Sequence, residues 1–312
     1  MKILGKGTGK DFIAGLPAGR GLIRPLVLGN HCGAMNRHPL QPITDEEVRA
    51  FEEDGLVVLR GLFDNDWVEL LRSAAEDCPT HDAGLEEELA MTGEDAGRAV
   101  REAFIWRANE NCRRFVFGSP AAEIAATLMR AEKVSIFRDQ WLGDDAGRSS
   151  RVSWYHDLPD WPVDGWQICS LWLALDPVTA DNGAVEYIKG SHRWGQRIES
   201  QHPGGDQGQK ENLRAKLDVE AHRDDLEIVQ FELMPGDCTV HHALLVHGEP
   251  DFLPSGRQRQ AIITGWVGED VVYRPGGERR GAPKPPLGPG DPPDGAVWPQ
   301  VWPEPVRRKG LG

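Results

Sequence analysis

Residues 235 to 248 read Pro-Gly-Asp-Cys-Thr-Val-His-His-Ala-Leu-Leu-Val-His-Gly: a turn, a β-forming run, and a histidine at its far end. Pro235-Gly236-Asp237 is turn chemistry. Cys238 to Val246 is short, β-branched and aliphatic, which predicts a strand that delivers His247 at its exit. Outward from it, similar runs at Val134 to Trp141, Trp166 to Leu175, Ala184 to Ile188, Leu226 to Leu233 and Gln260 to Val267 predict further strands, punctuated by turns such as Asp181-Asn182-Gly183. The front of the chain has a different texture. Thr44 followed three residues later by Glu47 is a capping box, Val48 and Phe51 give the helix an apolar stripe, and Gly55 ends it. Leu56 to Leu59 reads as a strand, Asp66 to Asp77 as a helix, and Ser119-Pro120 as the start of a helix reaching Arg130. Short strands behind a helical front predict a mainly β fold with flanking helices, a jelly-roll or cupin-like barrel.

A chain of 312 residues suits one main domain. The division expected is an N-terminal extension over residues 1–40, a barrel domain with its helical front over 41–273, and a Pro- and Gly-rich segment over 274–312 pinned by Trp298 and Trp302. Residues 78–100 read as an acidic loop or lid. A formal charge of −14 argues against nucleic acid or an anionic membrane as partner, since both reward clustered Lys and Arg. A small-molecule substrate fits better, and oligomeric state is not readable. No apolar signal core and no run of roughly 20 apolar residues is present, so a cytoplasmic protein is expected. Five widely spaced cysteines without a Cys-x-x-Cys read as reduced thiols.

Two histidines and one carboxylate on one face of an octahedral iron leave three positions for a bidentate oxo-acid and O2. A barrel builds this from a His and an Asp two apart at one strand end and a second His on a facing strand. Here Trp154-Tyr155-His156-Asp157-Leu158-Pro159-Asp160-Trp161 is the early cluster, and His241, His242 and His247 form the late one.

Four stretches together resemble the phytanoyl-CoA dioxygenase family: Glu52 to Gly61; Asp157-Leu158-Pro159 through Trp161-Pro162-Val163 to Asp176; Asp181-Asn182-Gly183 with Gly190-Ser191-His192; and Pro235-Gly236-Asp237 leading to His247-Gly248. The resemblance implies a double-stranded β-helix, Fe(II), 2-oxoglutarate as cosubstrate, and oxidation of a small organic metabolite with release of succinate and CO2. It makes His247 the distal metal ligand and Arg259 the residue that grips the far carboxylate of 2-oxoglutarate, a bidentate task suited to a guanidinium. Arg257 is the substitute. His192 reads as structural, and His241 and His242 as strand or supporting residues, with His241 on the same face as His247 by alternation.

The family's Trp-His-x-Asp-Leu-Pro-Tyr-Trp becomes Trp-Tyr-His-Asp-Leu-Pro-Asp-Trp in this chain, so gapless matching puts Tyr155 where the metal histidine belongs. Three readings follow: His156 and Asp157 both bind the metal after a one-residue deletion; Tyr155 and Asp157 face inward; or His156 and Asp160 do. The first is preferred, giving His156, Asp157 and His247 as the metal and catalytic set. Gln140 is a candidate contact to cosubstrate, in a stretch where the family often carries a lysine. The alternatives in function are a catalytically silent ligand-binding barrel, and an O2-using iron enzyme of the same fold that does without 2-oxoglutarate.

Overall fold

A computed structural model describes residues 35–77, 98–101, 104–144, 152–195, 219–249, 259–275, 285–293 and 295–304. The expected extension up to residue 34, most of the expected lid, and Arg257 lie outside the described residues.

The front of the domain is helix α1 (Asp45–Asp54), strand β1 (Leu56–Leu59) and helix α2 (Asn65–Asp77). The capping box is formed: Thr44 accepts from the Glu47 backbone, and Glu47 reaches back to the Thr44 N–H. Losing the hydroxyl in Thr44→Ala should cost about 0.5 to 2 kcal/mol in chemical denaturation, and an unchanged midpoint would contradict this. Gly55 closes α1 at φ +75°, and the ring of His192 lies so close that a Cβ on Gly55 would stand 2.4 Å from its Nδ1. The Gly-Ser-His turn therefore packs on the helix end, a structural use of His192.

Strand β2 (Arg98–Arg101) precedes helices α3 (Glu110–Gly118) and α4 (Ala121–Met129). Pro120 caps α4 and Arg130 ends it in the left-handed region, one residue inside the expected limits at each end. Strands β3 (Val134–Asp144), β4 (Val152–Tyr155), β5 (Val163–Asp164), β6 (Ile168–Ala174), β7 (Glu186–Ile188), β8 (Ile228–Gln230), β9 (Cys238–His242), β10 (His247–Glu249), β11 (Ala261–Val267), β12 (Val272–Tyr273) and β13 (Gln300–Trp302) follow.

Two antiparallel sheets result. The larger has the order β1-β9-β6-β11-β3-β13, with β2 also on β3; the smaller runs β4-β10-β7-β8. Alternation divides the larger sheet cleanly. Its outer face, with Val57, Leu59, Leu171, Leu173, Val240 and Ile262, packs on α1 to α4 in the main core; its inner face, with Trp172, Ala174, Leu142 and Ala261, closes over the smaller sheet. This is the double-stranded β-helix with flanking helices.

The strand expected over Cys238 to Val246 is broken. β9 stops at His242, the Leu245 N–H donates to the His242 carbonyl (2.8 Å), and the chain crosses to the smaller sheet before β10 begins at His247. An apolar run looks continuous in sequence whether or not it changes sheets.

Asp139 on β3 faces outward and is fully buried, accepting from the Trp106 N–H (2.9 Å), with Arg107 and Arg138 near it. Burial pushes its carboxyl up to about 7, against the pull of the Trp106 and Ile105 N–H groups and Arg138. In the unfolded chain the group ionises near pH 4, so its contribution to stability is largest below about pH 4, declines as pH rises, and levels off above the folded value. Asp139→Asn should flatten stability across this window; a slope equal to wild type in urea unfolding would contradict it.

Candidate metal centre

One transverse row of the larger sheet builds half of the site. Arg138 on β3 pairs with Gly265 on β11, Gly265 with Ser170 on β6, Ser170 with His241 on β9, and His241 with Leu56 on β1. Glycine is needed in this row, since a Cβ on Gly265 would stand 2.7 Å from Trp161 Cη2 and 3.0 Å from Arg138 Cγ. The other half is a row of the smaller sheet: His247 on β10 pairs with Tyr155 on β4 and Tyr187 on β7. The His247 ring lies 4.4 Å from that of Tyr155 and 5.9 Å from that of Tyr187.

Asp157 enters between the rows. The chain has left β4 two residues earlier and turns into a 3-10 turn over Leu158–Asp160, held by the Leu158 N–H donating to the Ala243 carbonyl (3.0 Å). Ser170 Oγ donates to Asp157 Oδ2 (2.6 Å); His241 Nε2 is 3.4 Å from the same oxygen, and His247 Nε2 is 4.0 Å from Oδ1. His247 Nδ1 donates to the Leu245 carbonyl (2.8 Å), which leaves the Nε2 lone pair for the site. Among the described residues, Asp157, His241 and His247 are the group of His, Cys, Asp and Glu whose donor atoms all lie within 4.8 Å of one another.

Electrostatics prepare these groups for a cation. Burial would raise the Asp157 carboxyl, but the contact with His241, with Arg138 assisting, outweighs it and holds the group ionised, well below the usual carboxylate range. Burial pushes His247 down to about 4, with His241 adding to the shift and Asp157 opposing it, so its ring is neutral at pH 7. Metal ligation requires those forms. His241 is 3% exposed; its Nδ1 has no hydrogen-bond partner, and its Nε2 has only the 3.4 Å contact with Asp157. A buried polar atom left in this state is costly unless something else, such as an ion, takes its lone pair. An anionic oxygen with two imidazoles is a donor set that suits Fe(II).

The sequence-expected residues divide. Asp157 and His247 are brought together. His156 is buried but outside the group; its Nδ1 is 3.0 Å from the Leu244 carbonyl, beside the crossover between sheets. Tyr155 faces the site from β4. Arg259, 1% exposed, precedes β11, donates to the Gly183 carbonyl and lies 5.9 Å from the Trp172 ring, which together with Tyr187 and Thr239 walls a small interior cavity. Gln140 is half-buried and accepts from Arg138. His242 points to the opposite face from His241, its Nε2 donating to the Trp166 carbonyl (2.8 Å). The sequence expectation did not place His241 among the donors; alternation put it on the face of His247, and the two meet instead from facing sheets. Cys112, Cys169 and Cys238 are buried and form no disulfide, and among the described residues no helix is long and apolar enough to cross a membrane.

Comparisons with known proteins agree with this architecture. Over 85% of this chain and 99% of theirs, the coordinates match the non-heme alpha-ketoglutarate-dependent carbocyclase SnoK of nogalamycin biosynthesis, with a TM-score of 0.66 and 24% identity. The epimerase SnoN, in complex with Fe3+, alpha-ketoglutarate and a nogalamycin ligand, matches with a TM-score of 0.66 and 21% identity over 82% of this chain and 97% of its own. In sequence, the ectoine dioxygenase of Sphingopyxis alaskensis is 27% identical over 157 residues, 49% of this chain and 51% of that protein. The match thus spans about half the length of that curated relative. The sequence profile of the phytanoyl-CoA dioxygenase family covers residues 51–250, from the end of α1 to just past His247, and the chain belongs to that family.

Proposed function

We propose that the protein is an Fe(II)- and 2-oxoglutarate-dependent dioxygenase that oxidises a small organic molecule and releases succinate and CO2. The observation that carries this reading is the buried group of an ionised Asp157 with the imidazoles of His241 and His247, donor atoms within 4.8 Å of one another inside the barrel. Asp157 and His247 would hold the iron, which when bound supplies O2 activation and open positions for the oxo-acid. The chain's own residues do the rest. Ser170 fixes the Asp157 carboxylate by its hydrogen bond to Oδ2, Leu245 fixes the His247 tautomer, and Arg259 would grip the far carboxylate of 2-oxoglutarate with its planar fork. Gln140, held by Arg138, would contact the cosubstrate or substrate from β3. The walls formed by Trp172 and Tyr187 keep water from the buried part of the pocket.

The test is anaerobic reconstitution with Fe(II), followed by 2-oxoglutarate and O2. One iron per chain and slow succinate release without added substrate are expected. Iron without succinate would favour an O2-using enzyme that does without 2-oxoglutarate. Absence of iron would favour a silent binding barrel, a reading supported by Tyr155, the departure from the family's metal histidine.

A further inference from the structure

We propose that the third protein ligand of the metal is His241, supplied by the larger sheet, and that neither His156 nor Tyr155 fills that place. This rests on the reading of the centre as an iron site and adds where its second nitrogen donor comes from. In the family's pattern the proximal histidine stands two residues before the aspartate, on the strand paired with β10; here that position is Tyr155. Its ring packs against His247 at 4.4 Å, so the place is filled by an aromatic side chain. His156 is the nearest substitute in sequence. A strand's period of two turns adjacent side chains to opposite faces, and the Nδ1 of His156 lies 3.0 Å from the Leu244 carbonyl, at the back of the crossover rather than with the donors of Asp157 and His247.

His241 meets the requirements that those two do not. It comes from β9, from the row that also holds Ser170, and Ser170 orients the same Asp157 carboxylate. Its ring is confined between those of His247 (4.5 Å) and Tyr187 (5.4 Å), which limits its rotation. Nδ1 is buried without a hydrogen-bond partner, and Nε2 has only the 3.4 Å contact with Asp157 Oδ2, which points it at the other two donors. A histidine serving only as packing satisfies its nitrogens with neighbouring backbone, as His242 next to it does with the Trp166 carbonyl and the Leu244 N–H, whereas Nε2 of His241 turns to the Asp157 carboxylate. The relocated donor also changes what the metal joins. Asp157 and His247 belong to the smaller sheet and its exit loop, and His241 to the larger, so a bound ion ties the two sheets together.

Equilibrium binding of Co(II), read from its visible absorption and by dialysis, tests this independently of turnover. Wild type, His241→Gln, His156→Gln and Tyr155→Phe are compared, with circular dichroism of each metal-free protein as the check of folding. Wild type should bind one Co(II) and gain thermal stability from it. His241→Gln should bind more than about 100-fold more weakly, beyond the usual cost of losing an outer hydrogen-bond partner, and should show no stabilisation by cobalt. His156→Gln and Tyr155→Phe should bind as wild type does. Cobalt held by His241→Gln as by wild type overturns the assignment and leaves the oxygenase reading standing. Wild type that takes up no cobalt overturns both. Should His241→Gln fail to fold, the other two variants decide: full binding by both supports His241, and loss of binding in either overturns it.

Discussion

Replacing Arg259 with alanine is expected to weaken 2-oxoglutarate binding by about 2 to 4 kcal/mol, roughly 30- to 1000-fold, while leaving metal affinity unchanged. The size follows from burial. The guanidinium is 1% exposed and sits beside Trp172 at the start of β11, so a carboxylate bound there is shielded from water and its charge-assisted bonds count nearly in full. It is also anchored by its bond to the Gly183 carbonyl, in the Asp181-Asn182-Gly183 turn, so the fork is presented in one orientation. Arg259→Lys should recover only part of the loss, because an ammonium offers a point charge and no planar pair of donors. Arg257→Ala should do less than Arg259→Ala. Calorimetric titration with 2-oxoglutarate under nitrogen, with Co(II) in place of iron, reads all three. Equal losses at the two arginines would show that the wrong one has been assigned to the cosubstrate.

The largest expected effect on stability is that of Trp298→Ala, about 3 to 5 kcal/mol in guanidinium unfolding. Trp298 is 2% exposed and stacks on Phe137 (5.1 Å between centroids), whose other face stacks on Trp161 (4.5 Å). It is the inner anchor of the C-terminal segment, which then adds β13 to the edge of β3. Trp161 closes the turn that begins at Asp157, so the three-ring stack connects the tail to the loop carrying the carboxylate. Its indole N–H has no hydrogen-bond partner, so the loss is one of packing, and Trp298→Phe should recover most of it. A change under about 1 kcal/mol would mean that the segment is held elsewhere.

The fold was legible because its signals are local. The capping box at Thr44, the turn at Pro235-Gly236-Asp237 and the β-branched runs each bias a few residues, and the structure has the corresponding helix, turn and strands. Of the residues the sequence singled out for the site, His247 leaving its strand and Asp157 at the entry to a turn lie together in the structure. The proposed donor His241 was not legible in the sequence because its position depends on the crossover at Ala243 to Val246. Counting faces along a strand assumes that the strand goes on, and here the two histidines meet across two sheets. His156 illustrates the converse, since its neighbour Asp157 reaches the donors and the ring of His156 does not join them.

The pairing of β1 with β9 bears on how the protein is made. Leu56, in the first described strand, lies opposite His241, which leaves the ribosome much later. Closing so long a loop is slow, because chain entropy must be surrendered before the ladder returns any energy. Until β9 arrives, β1 and β6 each present an unpaired edge that invites association with other chains, and the apolar side chains of β1 depend on the helices for cover. Asp157 is synthesised early, but both imidazoles come after it, one of them on the strand that zips the long loop shut. The three side chains of the candidate centre therefore converge only in a nearly finished fold.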